Sequence, residues 1–333
     1  MSEEAVNNPH DKLFKQAFSR QEMAVDFFRN YLPADIHARI DWETLHLQPG
    51  TFTDEALRGS ESDLLYTVKI DNHPTLLYCL FEHQSSPDPW MPLRLLRYLI
   101  GIWDQCRKQN TKADKLPPIL PIVLYQGGKA WTCDPSLSSL IDIPEGLEAF
   151  QPDFQHLLID LNNIESEQIH GSPSLRTILL ALKASRDKNK QKLELLIRAL
   201  AAIIHADPAL IRSVMLYLYS VDNSTDITEY MNQAEALNHP QLREEIMTIA
   251  EKLKNEGMQQ GMQQGMQQGM QQGEQKTLHE GILEILDLRF QSVSYSIKKQ
   301  IEEITNTAVL RKLHRLAVQT PTIEAFQSEI TSL

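Results

Sequence analysis

The chain has 333 residues, 42% of them hydrophobic and 7% aromatic, which gives room for two compact domains or for one domain with a helical extension. A net charge of −12 disfavours nonspecific adhesion to nucleic acid by the chain as a whole, although residues 1 to 130 hold 14 Lys and Arg against 17 Asp and Glu, leaving space for a local basic surface. Cys79, Cys106 and Cys133 are an odd number without metal-ligand spacing; they support neither a disulfide framework nor a zinc site and suit a reducing compartment.

The first eleven residues carry Glu3, Glu4 and Asp11 but no basic segment followed by an apolar one, so no secretory signal is read and the cytoplasm is the expected location. A helical pattern opens at His10-Asp11 and runs through Tyr31, with Leu13, Phe14, Ala17, Phe18, Val25, Phe27 and Phe28 as its apolar stripe, before Pro33 ends it. Trp42 to Leu47 reads as a strand. Glu61 to Ile70 alternates, with Leu64, Tyr66, Val68 and Ile70 on one face and Glu61, Asp63, Thr67 and Lys69 on the other. Leu76 to Phe81 is apolar at every position, as a strand buried on both faces would be, and it runs into Glu82-His83-Gln84. Asp71-Asn72-His73-Pro74 joins the two; a turn centred between Asn72 and His73 would set Asp63 directly opposite Glu82. Trp90 to Lys108 predicts an amphipathic helix that buries Leu95, Leu96, Leu99, Ile100 and Trp103 and exposes Arg94, Arg97, Tyr98 and Arg107. Further strands are expected at Ile119 to Tyr125 and Phe154 to Asp160. The order α-β-β-β-α-β is a mixed α/β layer arrangement.

From Pro173 helical periodicity replaces the strand patterns, after a polar linking segment that ends in Gly171-Ser172-Pro173. Leu195 to Val221 is the most apolar long stretch, but Arg198, His205, Asp207, Pro208 and Arg212 interrupt it, so it predicts packed helices and no membrane span. Glycines then recur at 257, 261, 265, 269 and 273 in a Gly-Met-Gln-Gln repeat. A four-residue period drifts about 40° per repeat on an α-helix, and each Gly costs roughly 1 kcal/mol against Ala. The repeat is therefore either a weak helical or flexible connector, or a close-packed stalk between subunits of a homo-oligomer. The expected division is an α/β domain over 1–165, a helical domain over 172–253, the repeat connector over 254–276 and a C-terminal helical segment over 277–333.

The chemistry centres on Asp63 and Glu82. Opposed strand positions place Cβ atoms ~4.5–5.5 Å apart. Two carboxylates ~4 Å apart at an effective dielectric near 20 repel by about 4 kcal/mol, so the pair calls for a bound cation, a shared proton or a neighbouring base. Oxygen ligands without a Cys or His cluster favour Mg²⁺, or Mn²⁺, over zinc. His83 alternates to the opposite face, where a structural role is expected. Arg94 and Arg97 share a helix face that is either a phosphate grip, supported by Tyr98, or simply solvated. Gln126-Gly127-Gly128-Lys129 lacks the spacing of a nucleotide-binding P-loop.

Five segments in order, His10-Asp11-Lys12-Leu13-Phe14-Lys15, Ser62-Asp63-Leu64-Leu65-Tyr66, Glu82-His83-Gln84-Ser85, Arg94-Leu95-Leu96-Arg97-Tyr98 and Pro121-Ile122-Val123-Leu124-Tyr125-Gln126-Gly127, together resemble the Rpn family of recombination-promoting nucleases, also called YhgA-like transposases. The resemblance runs over roughly residues 9 to 240, and the repeat is similar to tails seen in that family. It implies the PD-(D/E)xK (restriction-endonuclease-like) fold, Mg²⁺-dependent cleavage of DNA and a role in recombination or genome defence. It also implies that Asp63 and Glu82 are the acidic metal ligands, that the His83 backbone carbonyl is a third, and that Gln84 stands where the superfamily has a catalytic lysine. Asp11 resembles the acidic residue some of these enzymes carry on their first helix, or else it is an N-cap. A neutral amide at Gln84 leaves more of the water activation to the metal. Two rivals remain open: a strand-transferring transposase, and a catalytically idle nuclease fold that binds or regulates.

Overall fold

The computed structural model describes residues 8–48, 63–84, 86–185, 190–221, 227–291 and 293–331. Two compact units divide the chain, residues 1–250 and 251–333.

The first unit is built on a five-stranded mixed sheet in sequence order, β1 (Ile40–Leu47), β2 (Asp63–Ile70), β3 (His73–Glu82), β4 (Ile119–Tyr125) and β5 (Leu157–Asp160). The pairs β1–β2 and β2–β3 are antiparallel, and β3–β4 and β4–β5 parallel. The N-terminal helical pattern forms two helices, α1 (Pro9–Phe18) and α2 (Gln21–Tyr31), where the sequence predicted one. Arg20 adopts an extended backbone between them, so the apolar stripe survives while the axis turns. A short α3 (Ala34–His37) precedes β1. α4 (Met91–Gln109) is the crossover from β3 to β4. The alternation of β2 distributes its side chains as expected. Tyr66 packs against Phe28 of α2 and donates its hydroxyl to the Phe18 carbonyl of α1. Leu65, Leu76, Tyr78 and Leu80 instead join Met91, Leu95, Tyr98 and Ile102 of α4 in a core on the other face.

α4 corrects two expectations. Its core stripe is Met91, Leu95, Tyr98 and Ile102, spaced four, three and four. Tyr98 is therefore buried, and Ile100, expected inside, is 48% exposed. Helices α5 (Pro173–Ala184), α6 (Lys190–Ala202), α7 (Pro208–Val221) and α8 (Ile227–Ala236) follow; α7 packs on α1 and α5 on α2, within the same unit as the sheet.

The repeat lies inside one helix, α9 (Pro240–Phe290), with Met258, Met262, Met266 and Met270 all exposed. In the second unit the end of α9 packs with α10 (Tyr295–Glu302), α11 (Thr307–Gln319) and α12 (Ile323–Thr331) around Ile282, Leu286, Ile297, Ile301, Leu310, Leu313 and Phe326. No helix among the described residues is long and apolar enough to cross a membrane.

Candidate active site

The β2–β3 hairpin turns two residues earlier in its pairing sum than the sequence suggested. Ile70 pairs with His73, and Asp71 and Asn72 form the loop with φ of 48° and 64°. A two-residue loop of this twist needs positive φ at both central positions, which Asp71 and Asn72 tolerate better than the expected Asn72-His73 would. Asp63 consequently faces Leu80 rather than Glu82. The expected directly opposed pair is replaced by a diagonal one, with both carboxylates still on one face, because Glu82 lies two residues beyond Leu80.

Asp63 begins β2 and accepts a hydrogen bond from the Tyr78 hydroxyl, Oη to Oδ2 3.0 Å. Burial pushes its carboxyl above the usual carboxylate range; the Tyr78 hydrogen bond opposes this, followed by the charges of Lys15 and Arg94. Neighbouring Cys79 is pushed up to about 12 by burial, with a contribution from Asp63. Glu82, 2% exposed, ends β3 and is neutralised by Arg94, Nη1 to Oε2 2.8 Å. Its other oxygen accepts the Gln84 backbone N–H at 3.2 Å, and its carbonyl accepts the Gln126 N–H at 2.9 Å. Arg94 also donates from Nε to the Tyr98 hydroxyl at 3.3 Å and stands 3.7 Å from Asp88. Gln84 follows the strand with its side chain exposed. A Cβ at Gly127 would lie 1.9 Å from the Tyr125 hydroxyl and 2.5 Å from the Gln84 carbonyl, so only glycine lets the β4 loop close on this strand end.

His83 turns to the α1 face. The Asn8 amide nitrogen meets His83 Nε2 at 2.8 Å, and His83 Nδ1 stands 3.5 Å from Asp11 Oδ1. His10 stacks on the same ring at 4.9 Å and meets the Tyr217 hydroxyl at 2.9 Å. Asp11 thus contacts His83, on the face opposite to Asp63 and Glu82. It is also not the helix cap, since Asn8 takes that place and accepts from the His10 N–H at 3.2 Å.

Of the three residues expected at a phosphate, Arg97 is exposed on α4, Arg94 is engaged with Glu82, and Tyr98 is buried against Tyr78 at 5.7 Å. Ser62 and Glu61 fall outside the described residues. Sequence reasoning missed the Tyr78–Asp63 bond, although the positions 78, 80 and 82 share a face by alternation. It missed the Arg94–Glu82 pair because that contact joins a strand end to a crossover helix. Among the described residues no three His, Cys, Asp or Glu side chains converge as a metal cluster. The two carboxylates and the adjacent His83 carbonyl are oxygen donors and suit a hard divalent cation, which would share Glu82 with Arg94.

The family described as "Putative transposase, YhgA-like" matches residues 8–214, more than half of the chain. Similar proteins in Escherichia coli (strain K12) include the recombination-promoting nuclease RpnA, 29% identical over 266 residues that cover 78% of this chain and 88% of that protein. The inactive recombination-promoting nuclease-like protein RpnE is 28% identical over 269 residues, 78% of this chain and 86% of its own. The recombination-promoting nuclease RpnC is 41% identical over a shorter stretch of 119 residues, 36% of this chain and 39% of its own. No solved structure matches.

Proposed function

The chain belongs to the YhgA-like transposase family, and from that premise we propose that it is a metal-dependent DNA endonuclease of the PD-(D/E)xK type that hydrolyses phosphodiester bonds and promotes recombination. The observation that carries the reading is the pair of carboxylates, Asp63 and Glu82, on one face at the open end of a hairpin, with burial holding the Asp63 carboxyl above its usual range despite its hydrogen bonds. The names of the relatives RpnA and RpnC support it.

Asp63, Glu82 and the His83 carbonyl would hold Mg²⁺ or Mn²⁺. A bound cation of this kind acidifies water and offsets charge on the phosphate. Tyr78 keeps the Asp63 carboxylate turned toward the site, and Arg94 fixes the Glu82 carboxylate. The Gln84 amide orients the attacking water through a neutral hydrogen bond. Arg97, exposed on the next helix, contacts the DNA backbone. The exposed methionines of the repeat are the surface through which the chain would self-associate.

Purified protein should nick or linearise supercoiled plasmid with Mg²⁺ and not with EDTA, and Asp63→Ala should abolish cleavage. Undiminished cleavage by that variant would sink the assignment. A second reading is a catalytically idle fold that binds DNA, favoured by the closed Arg94–Glu82 pair, the neutral Gln84 and the relative named as inactive. Calorimetry separates the two, since the idle fold has no affinity for Mg²⁺ or Mn²⁺.

A further inference from the structure

A run of polar contacts ties α7 to α1. Arg20, Gln16 and His10, on or beside α1, meet Asp207, Ser213 and Tyr217, on or beside α7, in reverse order, as antiparallel neighbours do. Gln16 donates to Ser213 Oγ at 2.6 Å, and the Tyr217 hydroxyl stands 2.9 Å from His10 Nδ1. The Arg20 and Gln16 contacts lie toward the far end of α1, whereas His10 lies in its first turn, where the helix meets the end of β3. There the His10 ring lies on the His83 ring, 19° from parallel. His83 is thereby held on several sides, by His10, by Asn8, by Asp11 and by Phe81, whose ring it stacks on at 5.8 Å. It is the first residue past β3, so fixing its ring fixes the backbone that carries its carbonyl. Tyr217 is 3% exposed and has no part in the mechanism above.

We propose that Tyr217 is a positioning residue for the strand-end site: by holding His10 against His83 it fixes the backbone of the His83 carbonyl, and with it the affinity of the site for a divalent cation. The helical region is then part of the site and not an appendage to it. Partners that orient a metal ligand without touching the metal typically change affinity by about 10–100-fold. Tyr217 acts one residue further out, so a loss of about threefold to tenfold is expected. The proposal rests on the nuclease reading but can fail separately from it.

The test is titration of the full-length chain with Mn²⁺, read from the paramagnetic resonance signal of the free ion, beside plasmid cleavage by the same preparations over a range of Mg²⁺. Tyr217→Phe, which removes one hydroxyl, should weaken Mn²⁺ by that factor, and its cleavage should recover at high Mg²⁺. His10→Phe, which keeps a stacking ring without Nδ1, should weaken Mn²⁺ about as much, and adding Tyr217→Phe to it should bring no further loss. Ser213→Ala cuts another contact between the same two helices and should leave Mn²⁺ affinity at the wild-type value, with circular dichroism reporting all variants folded. If wild type binds Mn²⁺ and cleaves while Tyr217→Phe binds Mn²⁺ equally well, the positioning role is overturned and the nuclease reading stands. An equal loss in Ser213→Ala, or additive losses in the double variant, overturns it as well. Wild type that neither binds Mn²⁺ nor cleaves overturns both.

Discussion

Asp63 sits where its ionised form is disfavoured, chiefly by burial, and this links function to stability. Its folded carboxyl binds a proton more readily than the unfolded one, so the group favours the folded state fully below the ordinary carboxylate range. That contribution is lost as pH rises through the raised folded value. Asp63→Asn, which still accepts from Tyr78, should therefore raise the urea midpoint at pH 7, leave it nearly unchanged near pH 3, and abolish cleavage. An unaltered midpoint at pH 7 would contradict the burial argument. Arg94→Met has the opposite sign. It strands a Glu82 that is 2% exposed, at a cost of about 2–3 kcal/mol, toward the low end for breaking a buried pair because the guanidinium keeps some water. Adding Glu82→Gln to the same chain should recover much of this in urea unfolding.

At the scale of elements, the two-residue turn and the β4 loop set the geometry of the strand ends. Asn72→Val forces a β-branched residue into φ of 64° and should cost about 1–2 kcal/mol, whereas Asn72→Gly should be neutral or mildly stabilising, both read from denaturant midpoints. Gly127→Ala should cost about 1–3 kcal/mol and lower cleavage, because its methyl would displace the Tyr125 hydroxyl or the Gln84 carbonyl. The strands and their faces were legible, since period-two alternation in β2 and the unbroken apolar run of β3 are local signals. The register was not: choosing Asp71-Asn72 over Asn72-His73 as the loop depends on which residues accept positive φ, and that choice moved Asp63 from Glu82 to Leu80. Tyr98 was misplaced because a polar-tipped aromatic beside two arginines was read by its neighbours in sequence, when its spacing from Met91, Leu95 and Ile102 put it inside. Both carboxylates and Arg94 were found, but the ion pair between Arg94 and Glu82 was not, since it forms only through docking of α4 on the strand end.

For the molecule as a whole, two units share α9, and the repeat glycines within it meet nothing. A Cβ at Gly257, Gly261, Gly265, Gly269 or Gly273 would find no atom within 4 Å. Replacing all five with Ala should therefore add helix stability of about 1 kcal/mol per site without a clash, seen as greater helical ellipticity and a higher melting temperature. A fall in helicity would indicate a contact that the glycines accommodate. The hairpin turn has a consequence for the order of assembly. Pairing across Asp71-Asn72 closes the shortest loop in the sheet and can form in about 1–10 μs, whereas joining β3 to β4 waits for the α4 crossover. The two carboxylates are thus gathered on one ribbon before Arg94 arrives. Substitutions at Asn72 should then act mainly on the refolding limb of a chevron plot, and substitutions at Arg94 mainly on the unfolding limb.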